Sequence, residues 1–169
     1  NEVKEALQLL GKALDAQREN TDLLYDYAMV AERIDRVDIL ESSIRKVIAV
    51  RPDHAHAYNA LGYSLADRNV RLGEARELIE MALKLAPQDY FIIDSMGWVL
   101  YRMGRNAEAV QYLRKAFAGR PDAEIAAHLG EVLWVSGERA EAEKIWQDAS
   151  QKFPKNDSLA NTLKRFLPR

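Results

Sequence analysis

The chain has no cysteine among its 169 residues. Disulfides, thiolate nucleophiles and cysteine-based zinc sites are therefore excluded together, while the compartment stays open, because a thiol-free chain suits cytoplasm and periplasm alike. Net charge is also small. A formal −2 and a pI near 6.0 give no basic field, and no run of Lys or Arg occurs, so no nucleic-acid partner is expected. No apolar run approaches the roughly 20 residues that a membrane-spanning helix needs, so the chain is not expected to insert directly into a membrane. A glycine-rich phosphate loop is missing, and Ser64 lacks the flanking glycines of a nucleophile elbow. His54 and His56 stand two apart, a spacing that does not share a helix face, and read as a solvated pair rather than metal ligands. His128, in EIAAHLG, reads as a packed or groove-lining histidine rather than a base. No enzyme activity, metal or cofactor is expected.

Hydrophobic content of 48% beside 30% charge suits a soluble helical protein and argues against disorder. Proline is scarce, and its scarcity makes its spacing legible: Pro52, Pro87, Pro121 and Pro154 are separated by 35, 34 and 33 residues. Ala82, Ala116 and Ala149 keep the same period. The clearest stretch, DSMGWVLYRMGRNAEAVQYLRKAFAGRP from Asp94 to Pro121, opens on Met96-Gly97, continues with Ala109 and Leu113, and closes on Ala116 and Pro121. The marks recur downstream as Leu129-Gly130, Ala142, Trp146, Ala149 and Pro154, and upstream as Leu61-Gly62, Ala75, Ile79, Ala82 and Pro87. A 34-residue unit carrying W-x2-L-G-x2-Y, then A-x3-F, then P is the tetratricopeptide signature. The chain resembles tetratricopeptide repeat (TPR) proteins over nearly its whole length.

That resemblance implies an all-α solenoid, a right-handed superhelix of antiparallel helix pairs, forming a single TPR domain over residues 1–169. Residues 2–17 match the second helix of a truncated repeat, which would leave part of its apolar face exposed and implies further repeats before it in the full protein. Full repeats follow at 21–54, 55–88, 89–121 and 122–154. The first is the most degenerate, with Ala28 in place of the glycine and Leu40 in place of the first alanine. Asn20 or Thr21 is expected to cap its first helix. The second repeat carries one extra residue within ADRNVRLGE, so its turn should be longer than the others. Gly104 and Gly137 are placed where a left-handed backbone ends a helix. Residues 156–167, with Asn156 or Asp157 as cap, form an amphipathic end helix that covers the last apolar face, so the natural end of the fold is expected near Arg169.

In the TPR family the first helices line the concave side, with repeat positions 2, 5, 9, 12 and 13 commonly facing inward. Carried over, the partner-binding candidates are Tyr25, Met29 and Arg33 in the first repeat and Asn59 and Tyr63 in the second. The third contributes Asp94, Trp98, Tyr101 and Arg102, and the fourth Glu131 and Trp134. Aromatic anchors suit recognition because they supply contact area at little entropic cost. For Trp98 and Trp134 the alternative is packing between neighbouring first helices. TPR domains that clamp a C-terminal carboxylate use a lysine at position 5 and asparagines at positions 6 and 9. Tyr25 with Met29, and Asn59 with Tyr63, do not reproduce that clamp.

The resemblance implies a scaffold that binds a protein or peptide in its groove. The alternative is an assembly platform that uses its end helices or convex face, with self-association through the truncated N-terminal helix. HAYNALGYSLADRN, DSMGWVLYRMGR and DAEIAAHLGEVLW further resemble the C-terminal part of long proteobacterial TPR proteins. That group includes outer-membrane lipoproteins, one of them an adaptor for a carboxy-terminal processing protease. The implied location is the periplasmic side of the outer membrane, as part of a longer lipoprotein, with the cytoplasm as the alternative.

Overall fold

The computed structural model describes residues 2–167. Among these, ten α-helices and no strands occur: α1 (Glu2–Ala16), α2 (Thr21–Glu32), α3 (Val37–Val50), α4 (Ala55–Asp67), α5 (Leu72–Leu85), α6 (Tyr90–Arg102), α7 (Asn106–Gly119), α8 (Ala123–Val135), α9 (Arg139–Lys152) and α10 (Asp157–Phe166). The fold is a TPR-type α-solenoid, built from four helix pairs with a half repeat before them and a capping helix after. The chain divides into two compact units, Asn1–Ala86 and Pro87–Arg169.

Within each pair the first and second helices approach closely because the residue between them is small. Gly62, Gly97 and Gly130 occupy equivalent places, and a β-carbon there would stand 2.7 Å from Ile79 Cγ1, 2.6 Å from Leu113 Cγ and 2.1 Å from Trp146 Nε1. In the first pair the fully buried Ala28 takes this place. Opposite lie Leu40, Ala75, Ala109 and Ala142, all completely enclosed.

All four turns within pairs use one backbone device. Asp35, Asn69, Gly104 and Gly137 are left-handed, with φ of 58°, 56°, 79° and 94°. The amide of the next residue then reaches back five positions: Arg36 to Ala31, Val70 to Leu65, Arg105 to Leu100 and Glu138 to Leu133, at 2.9–3.0 Å. This bond satisfies a carbonyl that the helix end leaves open. Glycine was expected at two of these positions. Asp35 and Asn69 fill the other two because short polar side chains tolerate the left-handed region better than other residues. The loop 68–71 is one residue longer than 103–105 and 136–138, yet it equals 33–36, because α2 ends one register position early. The inserted residue brings a second left-handed residue, Arg71, at φ 47°.

Helix starts differ by class. Every first helix after α1 has a side-chain cap. Asn20 Oδ1 accepts from Asp22 and Leu23, His54 Nδ1 from Ala57, Asp89 Oδ1 from Phe91, Asp122 Oδ1 from Glu124, and Asn156 Oδ1 from Leu159. The cap residues of α3, α5, α7 and α9 make no such bond. Those helices begin directly out of the left-handed turns, whereas first helices follow inter-repeat loops in which no described residue is left-handed, and take a side-chain acceptor instead.

In the first unit α1 packs against α2, but it buries no residue fully and leaves Leu9 67% exposed. Its second helices are tied by Arg45 to Glu74 and Arg71 to Glu41, each at 2.5 Å, and the Arg71 hydrogen bond brings the Glu41 carboxyl down to about 2. In the second unit Arg114, one register-equivalent of Arg45, joins Glu138 and Glu141. There α10 packs against α8 and α9 and buries Leu159 and Thr162, which is how it covers the last apolar face.

Candidate functional site

The first-helix face of the second unit concentrates the polar and aromatic chemistry. Asp94 on α6 and His128 on α8 stand one repeat period apart in sequence. The imidazole Nδ1–H donates to Asp94 Oδ2 at 2.8 Å with both side chains about nine-tenths buried. Trp98 stacks on the His128 ring at 4.2 Å and 22°. Tyr101 lies 5.2 Å from Trp98, and the Arg102 guanidinium is 5.9 Å above the indole. The Tyr101 hydroxyl donates to Glu131 Oε1 at 3.2 Å, and the other oxygen of Glu131 is held by Arg165 of α10. Burial, with the neighbouring Glu131 charge second, raises the Tyr101 hydroxyl above its ordinary value.

This arrangement alters the expectation for three candidates. Asp94, Trp98 and Glu131 are 5%, 5% and 4% exposed. Consecutive first helices α6 and α8 are in contact; Asp94 and Trp98 meet His128 between them and Glu131 meets Tyr101 and Arg165, so these three form the wall of the face and offer almost no surface. Of its other candidates, Tyr101, Arg102 and Trp134 keep accessible area. Trp134 stands apart from the Asp94 cluster. It belongs to an aromatic group with Trp146 at 5.7 Å and Phe166 at 6.2 Å, with Arg139 5.0 Å above its ring.

In the first unit the candidates are less connected. Half-buried Tyr25 stacks on His54 at 5.0 Å, Met29, Asn59 and Tyr63 are half-buried, and Arg33 is exposed. The polar cluster here is Glu32, Ser64 and Arg68: Arg68 reaches Glu32 at 2.7 Å and Asp35 at 2.7 Å, and the Ser64 hydroxyl donates to Glu32 at 3.1 Å. Asn59 Oδ1 and Asp94 Oδ1, both at position 5 of their repeats, are buried acceptors with no hydrogen bond among the described residues. His54 is a helix cap and His56 is exposed. Among the described residues no group of three metal-ligating side chains converges.

Sequence reading passed over Arg165 and the Glu32–Ser64–Arg68 cluster. For Arg165 a signal existed: it follows Glu131 by 34 residues, as His128 follows Asp94, so opposite or hydrogen-bonding partners recur one period apart.

A second surface lies on the side of the second helices. In the second unit a cleft of about 450 Å³ is floored by Leu129 and walled by Phe117, Ala118 and Ile145. In the first unit the register-equivalent cleft of about 440 Å³ is lined by Gly11, Leu14, Leu24 and Tyr27.

A tetratricopeptide repeat family profile matches residues 41–90 and 95–157. The chain belongs to the tetratricopeptide repeat family. A TPR repeat-containing protein of Pseudomonas aeruginosa is 51% identical over 128 residues, which cover 76% of this TPR chain and 22% of that relative. The chain thus corresponds to about a fifth of the curated relative's length. Among solved structures, a thermophilic TPR protein of Thermus thermophilus superposes with a TM-score of 0.83 at 23% identity, covering 95% of this chain and 90% of that one. MamA of Desulfovibrio magneticus gives a TM-score of 0.73 at 18% identity over 93% and 89%. At these identities the likeness concerns the TPR fold. Among the described residues no helix is long and apolar enough to cross a membrane.

Proposed function

We propose that this TPR segment is a protein-interaction scaffold that holds a protein or peptide partner against its first-helix faces, without catalysis. The observation that carries the reading is the sorting of side chains in the second unit. The second helices α7 and α9 meet solvent with small and polar side chains such as Ala107, Gln111, Lys115, Ala140 and Gln147, and Arg114 pairs with Glu141 and with Glu138 at the start of α9. The first-helix side instead presents Tyr101, Arg102 and Trp134 on a wall rigidified by Asp94, His128 and Glu131. Aromatic and arginine side chains on a rigid support are what binding hot spots are made of. As the finer form of this proposal, the segment serves as the partner-recruiting part of a longer envelope protein, an adaptor for a protease or assembly machine. The match to a much longer bacterial TPR relative supports that form.

The test is capture from a proteobacterial envelope extract by the wild type, by Tyr101→Ala/Arg102→Glu, and by Arg114→Ala as a second-helix control. Proteins retained by the wild type and the control but lost by the double variant support the reading. Equal retention by all three would move the site off the first-helix face. A second reading, assembly through the second-helix side and α1, is favoured by the exposed Leu9 and by the cleft that Gly11 and Leu14 of the same helix help to line. A Leu9→Glu variant that dissociates a self-associated form would support it.

A further inference from the structure

Glu131 is a carboxylate with 6% side-chain exposure, and its partners come from two different helices. Tyr101 on α6 supplies one hydroxyl, and Arg165 on α10 supplies one guanidinium edge. The arginine is unlike the group it neutralises, because its side chain is 58% exposed. It reaches in from the solvent side and lies 5.1 Å from the Phe166 ring centroid. It sits in the last turn of a ten-residue helix that buries only Leu159 and Thr162 fully. Such a turn opens more readily than the helix pairs beneath it. The site thus combines a fixed, enclosed anion and a fixed hydroxyl with a cation and a neighbouring ring, Phe166, that are both delivered by the least anchored element of the unit. A planar guanidinium suits this combination better than an ammonium, since it can bond the carboxylate edge-on while stacking on a ring.

We propose that Glu131 and the Tyr101 hydroxyl form a guanidinium receptor on the first-helix face, that Arg165 fills it in the free protein, and that an arginine side chain of a bound protein takes its place. This rests on the first-helix face being the partner surface, and it names the partner's chemistry: an arginine-bearing segment. It also makes α10 a competitor for that segment. Displaced Arg165 returns to water, whereas Glu131 without any cation would be a buried, uncompensated charge, so exchange of one arginine for another is favoured over simple opening.

The experiment is chemical rescue. Arg165→Ala is expected to melt several degrees below the wild type. N-acetyl-arginine methylamide should restore the loss saturably, while the neutral citrulline analogue at equal concentration should not. Because a tethered side chain competes at an effective concentration in the millimolar range, Arg165→Ala should bind the arginine analogue at least about tenfold more tightly than the wild type. Adding Glu131→Gln should abolish the response. If that double variant does not fold, Arg165→Ala/Tyr101→Phe should still weaken it measurably. Equal responses to the arginine and citrulline analogues, or equal affinity in wild type and Arg165→Ala, would overturn the receptor. Rescue together with unchanged capture by Tyr101→Ala/Arg102→Glu would keep the receptor and sink the partner-face reading. Capture lost in that variant without rescue would do the reverse.

Discussion

Gly130→Ala is the sharpest perturbation of the helix-pair packing. Gly130 lies on α8 beneath Trp146 of α9, and an added β-carbon would stand 2.1 Å from Nε1, 2.4 Å from Cε2 and 2.7 Å from Cδ1. Trp146 is completely buried, its Nε1–H points to the Ala127 carbonyl at 3.4 Å, and Phe166 stacks 5.5 Å away, so the indole has little room to retreat. Alanine gains about 1 kcal/mol over glycine in a helix interior. Forcing a methyl into a packed core costs about 1–3 kcal/mol, and contact with a rigid ring warrants the upper figure. The net expectation is a loss of about 2 kcal/mol, or about 4–8 °C in Tm for a chain of this size. Gly73→Ala is the companion, since nothing lies within 4 Å of its β-carbon position. It should raise stability by about 0.5 kcal/mol or less, being in the first turn of α5. Urea unfolding followed by circular dichroism at 222 nm reads both. Trp146→Leu placed on the Gly130→Ala background should cost less than on the wild type, a coupling of about 1 kcal/mol or more. A Gly130→Ala protein as stable as the wild type would refute the close-approach argument.

Trp98→Ala should cost about 3–5 kcal/mol, a core truncation rather than a surface one, so a thermal melt must precede any use of it as a binding variant. Asp89→Ala should lower the urea midpoint by the equivalent of about 1 kcal/mol, whereas Arg105→Ala, at a start with no side-chain cap, should stay within about 0.5 kcal/mol. Burial and then the nearby Arg51 charge hold the His54 imidazole below its ordinary value of 6.5, and its Nδ1 must be unprotonated to cap α4. The unfolded chain therefore binds the proton more readily. The His54 contribution should be complete above pH 6.5 and decline as pH falls below that. His54→Asn, which caps without titrating, should show a flatter stability profile between about pH 7.5 and about pH 5. Asn69→Val, which puts a β-branched residue at φ 56°, should destabilise by about 1–2 kcal/mol in the same unfolding assay, whereas Asn69→Gly should not.

Much of the architecture followed from periodicity alone. Small residues at Gly62, Gly97 and Gly130, alanines facing them, and a proline after each second helix repeat because each pair solves the same packing problem. Local chemistry therefore declares the helix pairs, their turns and the amphipathic α10. The left-handed Asp35 and Asn69 were legible too, at the register of Gly104 and Gly137, though only once the repeats are aligned. Tertiary structure decided which groove candidates remain at the surface. Position 5 and position 9 side chains are equally free to face a partner or a neighbouring helix as far as one repeat is concerned. The packing of α6 against α8, and of α10 against α8 at Glu131, encloses Asp94, Trp98 and Glu131 while leaving Tyr101 and Arg102 partly open. Arg165 shows the same limit: in sequence it is one more solvent-facing arginine on an end helix, and it becomes the counter-ion of Glu131 only when α10 packs against α8, because a charge pair depends on distance through space.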